Sequence, residues 1–441
     1  MMNRILFVLV CSAWMSQSMA AEDTPPQTLT LEQAHSIALQ NHPGIAAADY
    51  RALAQAEVSN EARAGLFPQV NLLGSVVHAD AANTRIMAGG LNNPSVYSRT
   101  AYGIGATQLI TDFGHTSNLA ASARLQANAE RENAQATREQ VLLDVDRTFF
   151  GALQAQALEN VARQTVQTRQ LLLDRVSILA TNKLKSDLDV SFARVALEDG
   201  KLLLQRAQND LDSAMASLSA ALGYSEQHPF TLADQPLPAG EAGVDVAPLV
   251  AKALQERPDL AGLRDARDAS ERLARSVRDA RLPTVSAVIA AGDSPDHDVR
   301  LPGDYGAGGI QVSVPLFAGG YYRAHQHEAE MRARSAAESL RAAEDNVTRD
   351  VRIAWLSLNS SRERLRTSQQ LARYAADAYQ LADARYRAGS SSIVELSQAQ
   401  LQLTSAQIAE TTARYDVLIQ ESNLKFQTGT AAPAGSGPLN R

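Results

Sequence analysis

One long stretch near the C-terminus restricts the fold more than any other part of the chain. Residues 316–432 contain no proline, and Gly389 is the only glycine between Gly320 and Gly429. Alanine, glutamate, glutamine, arginine and leucine dominate this stretch, and these residues favour helix. The sequence therefore predicts two helices joined by a turn at Gly389. The first helix would have about 68 residues and be roughly 100 Å long, so it needs a continuous neighbour to cover its apolar side.

The same unit occurs earlier in the chain. Asp144-Val145-Asp146-Arg147 is matched 206 positions later by Asp350-Val351-Arg352-Ile353. The same offset aligns three further pairs, namely Leu188-Asp189 with Val394-Glu395, Gly223 with Gly429, and Phe113-Gly114 with Gly319-Gly320. Further upstream the offset is 215, as for Pro68 and Pro283. The nine-residue difference falls between Pro283 and Gly319, which indicates a loop that tolerates changes of length.

These matches predict two tandem repeats, each with a helix, a strand hairpin and a long helical hairpin. The predicted segments are a signal peptide at 1–20, a first repeat at 21–228, a linker at 229–245, a second repeat at 246–429 and a loose tail at 430–441. The strand hairpins are placed at 66–110 and 283–316, and the helical hairpins at 115–223 and 320–428. At the start, Thr30 is the predicted N-cap of a helix, with Gln33 as its capping-box partner.

The N-terminus has the pattern of a secretory signal peptide. Arg4 precedes an apolar run at 5–15, and Ser18-Met19-Ala20 follows it. Cys11, the only cysteine, lies inside the run, so the exported chain would contain none. A lipid-anchoring cysteine is the alternative, although Val10 before it is not small. No later segment reaches the ~20 apolar residues of a membrane helix, so any membrane crossing must use strands.

Composition excludes one class of partner. The formal net charge is −7 and the isoelectric point is near 5.7, whereas nucleic-acid binding requires a basic face. Aromatic residues make up only 5% of the chain while 45% is hydrophobic, which suits thin helical packing. We therefore expect no nucleic-acid partner.

Each repeat contains two segments in which apolar and polar residues alternate. In the first repeat Val70, Leu72, Gly74 and Val76 alternate with Gln69, Asn71, Leu73 and Ser75. In the second repeat a loop is predicted at 293–304 between the two alternating segments. Strands of about ten residues fit a tilted transmembrane β-strand, but a soluble half-buried hairpin has the same alternation. Four strands cannot enclose a useful lumen, and an open edge is not tolerated in lipid. If the strands span a membrane, several chains must share one barrel, and three chains would give twelve strands.

No enzyme, metal or cofactor site is predicted. His325 and His327 are two positions apart on a predicted helix, so they face different sides and cannot share a metal. Gly103-Ile104-Gly105 lacks the third glycine and the following helix of a dinucleotide-binding loop. The acidic residues near the two helical turns remain: Asp187 and Asp189 after the first, and Glu395 after the second. They either cap helices or form an acidic ring at the mouth of a tube.

Taken together, the motifs resemble the family of outer-membrane efflux proteins, the TolC-like outer-membrane factors. The residues that carry the resemblance are Leu29-Thr30-Leu31-Glu32-Gln33-Ala34, Asn41-His42-Pro43, Gly65-Leu66-Phe67-Pro68, Leu109-Ile110-Thr111-Asp112-Phe113-Gly114, Val314-Pro315-Leu316-Phe317-Ala318-Gly319-Gly320 and Ala384-Arg385-Tyr386-Arg387-Ala388-Gly389. The resemblance implies a mainly α protein with a membrane β-barrel. Three copies would form a twelve-stranded barrel in the outer membrane lipid, continued by an α-helical tube across the periplasm. It also implies docking to a periplasmic adaptor (membrane fusion) protein and an inner-membrane pump of the RND, ABC or MFS type.

The resemblance also implies roles for residues at the two turns. Tyr386 and Asp189 would link the two helical hairpins, and Glu395 would stand in the first acidic ring of the aperture. Asp187, which follows the first turn, is counted with them among the residues of the periplasmic gate. The family's latch arginine is replaced by Ser391, and its second acidic ring by Gln398, which predicts a less tightly latched and less cation-selective aperture. The turns would dock the adaptor through Lys183, Leu184, Gly389, Ser390 and Ile393.

The function that follows is that of a passive exit duct for efflux or type I secretion. The alternative is a periplasmic coiled-coil scaffold or adhesin without a conduit. The four alternating strands, at matched places in both repeats, favour the duct because a scaffold has no need of them. Drugs, metals and secreted proteins are all possible cargoes at this stage, since the pump selects the cargo.

Overall fold

The computed structural model describes residues 28–78, 84–85, 95–96, 98–237, 245–297 and 303–430. The predicted signal peptide and almost all of the predicted tail lie outside them. The helices are α1 (Leu31–Asn41), α2 (Pro43–Ala64), α3 (His115–Thr181), α4 (Asp187–Ala221), α5 (Val246–Glu256), α6 (Pro258–Asp279), α7 (Tyr321–Arg387) and α8 (Ile393–Gln427). The strands are β1 (Thr28–Leu29), β2 (Gln69–Val77), β3 (Thr84–Arg85), β4 (Ser95–Val96), β5 (Arg99–Thr111), β6 (Thr231–Leu232), β7 (Thr284–Asp296) and β8 (Asp304–Ser313). Within the described ranges, no helix is both long enough and apolar enough to cross a membrane.

The duplication is visible in the backbone angles. In the part of the chain that the structure describes, the residues with positive φ form four pairs that are 206 positions apart: Phe113 with Gly319, Gly114 with Gly320, Lys183 with Gly389, and Gly223 with Gly429. Both long helices, α3 and α7, contain 67 residues. The backbones of the two halves of the chain therefore follow nearly the same path. They even share the positions with positive φ, a conformation that residues with a side chain rarely adopt.

One ion pair is also duplicated, but with its charges exchanged. Arg138 on α3 contacts Asp49 on α2 at 2.6 Å. The matching positions on α7 and α6 are Glu344 and Arg264, which contact each other at 3.5 Å. Each of these pairs fixes a long helix against the shorter helix of its own repeat.

Local signals account for the start of the chain. Thr30 accepts a hydrogen bond from the Gln33 N–H, and the Gln33 side chain accepts from the Thr30 N–H at 3.0 Å, which confirms the predicted capping box. At the break, His42 Nδ1 accepts from the Gly44 N–H at 3.1 Å, and Pro43 begins α2. Proline suits this first helical position because its missing N–H would have no partner there.

The largest core cluster lies where α1, α3, α4 and α8 meet. Phe149, Leu218 and Leu222 are fully buried in it. The predicted linker contributes an unpredicted strand, since β6 pairs in parallel with β1 and places Leu232 and Leu29 in the same core. The chain entry and the linker are thereby fixed to the helices.

The main sheet has the order β2-β5-β7-β8, and every neighbouring pair is antiparallel. The predicted loop at 293–304 is wrong in part, because β7 continues to Asp296 and Asp293 pairs with Asp304. The extension is held by the Ser294 hydroxyl, which donates to the Thr100 carbonyl at 2.9 Å. At its other end β8 stops at Ser313, before Pro315, which has no N–H for a strand ladder.

The two faces of this sheet differ in polarity. One face, which we call the apolar face, carries exposed aliphatic side chains, namely Val70, Leu72, Val76, Ile104, Ile289, Ile310 and Val312. The other, the polar face, carries Gln69, Asn71, Ser75, Thr107, Ser286, Gln311 and Ser313, together with the exposed Leu73, the partly exposed Val288 and small residues. The Tyr305 ring lies on the polar face across Gly103 and Gly292, where a Cβ atom would collide with its hydroxyl.

The helices repeat the order of the strands. α3 packs against α4 and α2 on one side and against α6 and α8 on the other, and α7 packs against α6 and α8. Across the helical wall the order is therefore α2 and α4, then α3, then α6 and α8, then α7. The sheet and the helical wall therefore end on the same two flanks. One flank carries β2, α2 and α4, and the other carries β8 and α7.

Candidate functional site: the tip of the helical hairpins

The two interhelical turns lie together at the end of the wall far from the sheet. All four long helices contribute apolar side chains to one cluster there, which we call the tip cluster: Leu172, Val176, Val190, Tyr379, Ala382, Tyr386, Ile393, Leu396 and Ala399. The hairpins α3–α4 and α7–α8 are therefore in contact at their ends. Any relative movement of the hairpins must rearrange this cluster.

The two turns share one geometry. Ser186 and Ser392 cap α4 and α8 and accept from the N–H of Asp189 and Glu395 respectively. Before each cap, one residue lies in the left-handed region, Gly389 with φ of 75° and Lys183 with φ of 62°. Glycine adopts this conformation freely, whereas a lysine is strained in it. The first turn thus carries strain that the second avoids.

The acidic residues at equivalent places make different contacts. The Asp189 carboxylate accepts from the Ser186 N–H at 3.0 Å and from the Ser186 hydroxyl at 2.8 Å, which completes a capping box. The Glu395 carboxylate instead accepts from Arg385 at 2.9 Å and from the Ser391 hydroxyl at 2.8 Å. Asp189 is thus used within its own turn, while Glu395 joins α8 to the end of α7. Asp187 and Gln398, the other two predicted aperture residues, are exposed.

The expected link between Tyr386 and Asp189 is not a hydrogen bond in this conformation. Tyr386 is buried in the tip cluster, and its hydroxyl has no hydrogen-bond partner among the described residues. The Lys185 ammonium lies 4.1 Å from the centre of the Tyr386 ring, a cation–π contact between the hairpins. Burial raises the pKa of Tyr386, and the Asp189 charge raises it further. Tyr386 is therefore a neutral phenol at physiological pH.

An ion pair that sequence reasoning missed joins the hairpins beside this ring. Arg175 on α3 contacts Asp383 on α7 at 3.3 Å, and Arg387 contacts the same carboxylate. Burial raises the pKa of the neighbouring Tyr379, and the Asp383 charge adds to the effect. The sequence contained a signal for this pair, since Arg175 and Asp383 lie at similar distances before the ends of two helices that share one tip.

The predicted docking residues differ in their exposure. Lys183, Leu184, Gly389 and Ser390 are exposed, and Leu184 keeps 69% of its surface accessible. Ile393 is buried in the tip cluster instead. The exposed members of this predicted set are thus one apolar side chain, one lysine, one serine and one glycine.

The contacts at the tip couple the two hairpins through charge and apolar packing. Within the described ranges, no group of three or more histidine, cysteine, aspartate or glutamate side chains is placed to hold a metal ion. His325 contacts Glu328 and His327 approaches Glu330, and all four residues lie on α7. Separating the hairpins would break the Arg175–Asp383 pair and the Lys185–Tyr386 contact together.

Comparison with known proteins gives the family. The sequence matches the family described as outer membrane efflux protein over residues 34–224 and 249–430. The chain therefore belongs to this family and is an outer-membrane protein that extends into the periplasm. It is 24% identical over 396 residues to the outer membrane protein TolC of Escherichia coli strain K12, covering 85% of this chain and 77% of TolC. It is 26% identical over 383 residues to the probable efflux pump outer membrane protein TtgC of Pseudomonas putida, covering 86% of this chain and 78% of TtgC.

The fold agrees with that of a solved outer-membrane channel. CusC superposes with a TM-score of 0.79 at 19% sequence identity, over 90% of this chain and 92% of the CusC chain. This likeness shows that both chains share one fold, in which a short sheet continues into long helical hairpins. The resemblance inferred from the sequence motifs is thereby confirmed at the level of the family.

Proposed function

We propose that three copies of this chain form a passive exit duct through the outer membrane, within a tripartite efflux or type I secretion assembly. The observation that carries the proposal is the four-stranded sheet, whose edge strands β2 and β8 have no further strand beside them among the described residues. Open edges are not tolerated in lipid, so neighbouring copies must pair with them. Three copies of four strands supply twelve, an ordinary number for such barrels.

The polarity of the sheet supports its place in the membrane. The apolar face carries exposed aliphatic side chains on all four strands, and the polar face carries amides and hydroxyls besides Leu73 and Val288. In a barrel that spans lipid, the outward face is apolar and the inward face is polar. The apolar face would therefore meet the lipid, and the polar face would line a wet lumen.

The helices would continue the lumen as a tube. α3 and α7 each have 67 residues and would extend about 100 Å from the sheet. The two flanks of the helical wall remain uncovered in one chain, so the neighbouring copies that complete the sheet would also complete the wall. At its far end the tube would narrow at the tip.

The tip would receive the partner proteins. Exposed Leu184 and Lys183 on the first turn, and Ser390 on the second, form a surface for a periplasmic adaptor. Docking there would separate the hairpins and open the aperture, while an inner-membrane pump would supply the energy. The residues expected at the aperture, Asp187 and Glu395 among them, would then face the moving cargo.

Two adjacent residues of β2 provide a matched test. Leu72→Lys places a charge on the apolar face, and Asn71→Lys places the same charge on the polar face. A lysine at the bilayer midplane of a barrel costs about 2–4 kcal/mol, so Leu72→Lys should lose outer-membrane insertion and Asn71→Lys should keep it. The measurement is membrane fractionation followed by a semi-native gel with and without heating.

The wild-type chain should give a heat-sensitive trimer in the outer-membrane fraction. A soluble periplasmic monomer would refute the duct and favour the coiled-coil scaffold. Equal insertion of both lysine variants would contradict the assignment of the two faces.

A further inference from the structure

One row of residues crosses the polar face of the sheet without any amide, aliphatic hydroxyl or charged side chain. Its members are paired directly from strand to strand: Leu73 on β2 with Gly103 on β5, Gly103 with Gly292 on β7, and Gly292 with Tyr305 on β8. We call these four residues the lumen row. Tyr305 is the second residue of β8, so the row lies near the end of the sheet that is far from the helices.

The neighbouring rows of the same face are polar. The next row towards the helices contains Asn71, and the row after it contains Gln69 and Thr107. In the lumen row, by contrast, Leu73 and Tyr305 keep 59% and 40% of their surfaces exposed. Within the described strands of the main sheet, Tyr305 is the only aromatic residue on the polar face. The row is therefore an exposed apolar patch on a largely polar surface.

The two glycines of the row determine how the Tyr305 ring lies. A Cβ atom at Gly103 would lie 2.4 Å from the Tyr305 hydroxyl, and a Cβ atom at Gly292 would lie 2.5 Å from Cζ of the same ring. The ring thus extends from β8 across β7 towards β5 and occupies the space that two side chains would fill. One face of the ring rests on the backbone, and the opposite face is open, in agreement with the partial exposure of Tyr305.

Leu73 extends this surface from the opposite edge of the sheet. It pairs directly with Gly103, and its Cδ1 lies 3.3 Å from the place of a Cβ atom at Gly105. Leu73 and the end of the Tyr305 side chain therefore approach Gly103 from two sides. A flat molecule lying on the open face of the ring has the methyl groups of Leu73 within reach.

We propose that the lumen row is a contact site for flat aromatic molecules that pass through the duct, with the Tyr305 ring as the stacking surface. This proposal rests on the duct proposed above, which places the polar face at the lumen, and it adds a class of cargo and the residues that contact it. Stacking on an open ring favours flat aromatic systems and tolerates differences in their substituents. A conduit also requires contacts weak enough for release, and a single stacked ring meets this requirement.

Block of the single-channel current in planar bilayers tests the site, with the probe added on the side of the sheet. The probe is ethidium, a flat aromatic cation, and its control is tetraethylammonium, which has the same charge and no ring. Ethidium should block the wild-type channel at concentrations about 10-fold lower than tetraethylammonium does. Tyr305→Leu removes the flat ring and keeps an apolar side chain. It should raise the half-blocking concentration of ethidium about 10-fold and leave that of tetraethylammonium unchanged.

Three further variants separate stacking from other effects. Tyr305→Phe keeps the ring, so its half-blocking concentration for ethidium should stay within about 2-fold of the wild-type value. Leu73→Asn introduces the amide of the next row and should raise that concentration about 3-fold. Gln311→Ala is the matched control, since Gln311 lies on the same strand and face as Tyr305 but roughly 20 Å further along β8. It should be blocked as the wild type is.

A second measurement covers a channel whose current is too small for block to be seen. Fluorescence anisotropy of ethidium, titrated with purified trimers in amphipol, should give the same order of affinities. Equal ethidium affinity of the wild type and Tyr305→Leu would overturn the proposal, and so would equal affinity of the wild type for the two cations. If Tyr305→Leu does not assemble, equal affinity of the wild type and Leu73→Asn would overturn it. A wild-type chain without a heat-sensitive trimer would refute the proposed function itself, so the two failures are distinguishable.

Discussion

Replacing Arg175 with alanine should loosen the tip without unfolding it. Arg175 contacts Asp383 across the two hairpins at 3.3 Å, with 43% and 17% of the two side chains exposed. The substitution removes one partner of the Asp383 carboxylate, but Arg387 remains bound to it. No buried charge is left alone, so the cost should fall on the contact between the hairpins rather than on the fold of either hairpin.

The magnitude follows from the exposure of the pair. Exposed ion pairs contribute about 0.2–1 kcal/mol, and the half-buried carboxylate places this pair in the upper part of that range. Three copies in the proposed duct would together lose about 1.5–3 kcal/mol. Because 1.4 kcal/mol corresponds to a factor of ten, the closed-to-open ratio should fall about 10- to 100-fold. The factor refers to an opening step in which all three pairs break together.

Single-channel recording in planar bilayers measures this ratio directly. Arg366→Ala is the matched control, since Arg366 pairs with Glu363 at 2.8 Å on the same helix and forms no ion pair with another element among the described residues. The wild-type open fraction should rise as the salt concentration is raised from 0.1 to 1 M. Over this range the Debye length falls from about 10 Å to about 3 Å, which weakens the attraction between Arg175 and Asp383. Arg175→Ala should lose part of this salt dependence and Arg366→Ala should keep it.

The reasoning would be refuted if Arg175→Ala and Arg366→Ala opened equally often and responded equally to salt. An increased open fraction together with early loss of the trimer on heating would also count against it. In that case the substitution would act on assembly rather than on the contact between the hairpins.

Three other perturbations have outcomes fixed by local geometry. Lys183→Gly should stabilise each chain by about 1 kcal/mol in thermal unfolding, because glycine removes the strain of a left-handed lysine; an unchanged melting temperature would contradict this. Burial and then the nearby Asp265 charge raise the pKa of Glu132, so the folded state binds its proton more tightly and stability should increase as pH falls from neutral towards the ordinary glutamate value. Glu132→Gln should weaken that trend in trimer melting between pH 7.5 and 5, and an unaltered pH profile would refute the argument. Gly200→Ala should destabilise by ~1 kcal/mol because its Cβ would lie 3.2 Å from Arg169 Cδ, whereas Gly151→Ala, with open space around it, should stabilise by ~0.5–1 kcal/mol; the same sign for both would be the contrary result.

The sequence predicted the long elements well because their signals are redundant. A proline-free stretch with one glycine predicts two helices with a turn at Gly389, and α7 and α8 end and begin at Arg387 and Ile393. The strand ends were less predictable, because polar residues such as Asp293 stay in the ladder when a partner strand continues beside them. The alternation of apolar and polar residues shows where the apolar face of the sheet ends. The end of the strand itself depends on backbone hydrogen bonds to the neighbouring strand.

The tip shows a different limit of sequence reasoning. The position of Asp189 suggested a partner on the other hairpin, but its carboxylate is occupied by the Ser186 cap three residues away. A hydrogen bond between residues three positions apart fixes only a short segment and therefore costs little conformational entropy. This local bond is favoured over a bond from Asp189 to the other hairpin. Lys183 could have been identified as left-handed from the sequence, since the 206-residue offset places it at the position of Gly389. The lateral orientation of Arg175 towards Asp383 depends on how the helices rotate against each other, which periodicity alone does not fix.

The two hairpins are held together internally by different means, and this bears on how the tip can move. On α3, Arg169 is buried and donates to the Ala196 carbonyl of α4 through the space that Gly200 leaves. At the equivalent positions of the second hairpin, Ala375 and Ala406 pack in a small apolar cluster instead. Each hairpin therefore has its own internal contact, and neither uses the Arg175–Asp383 pair. Breaking that pair leaves both internal contacts in place, so the hairpins should separate as two intact units rather than by the unwinding of either one.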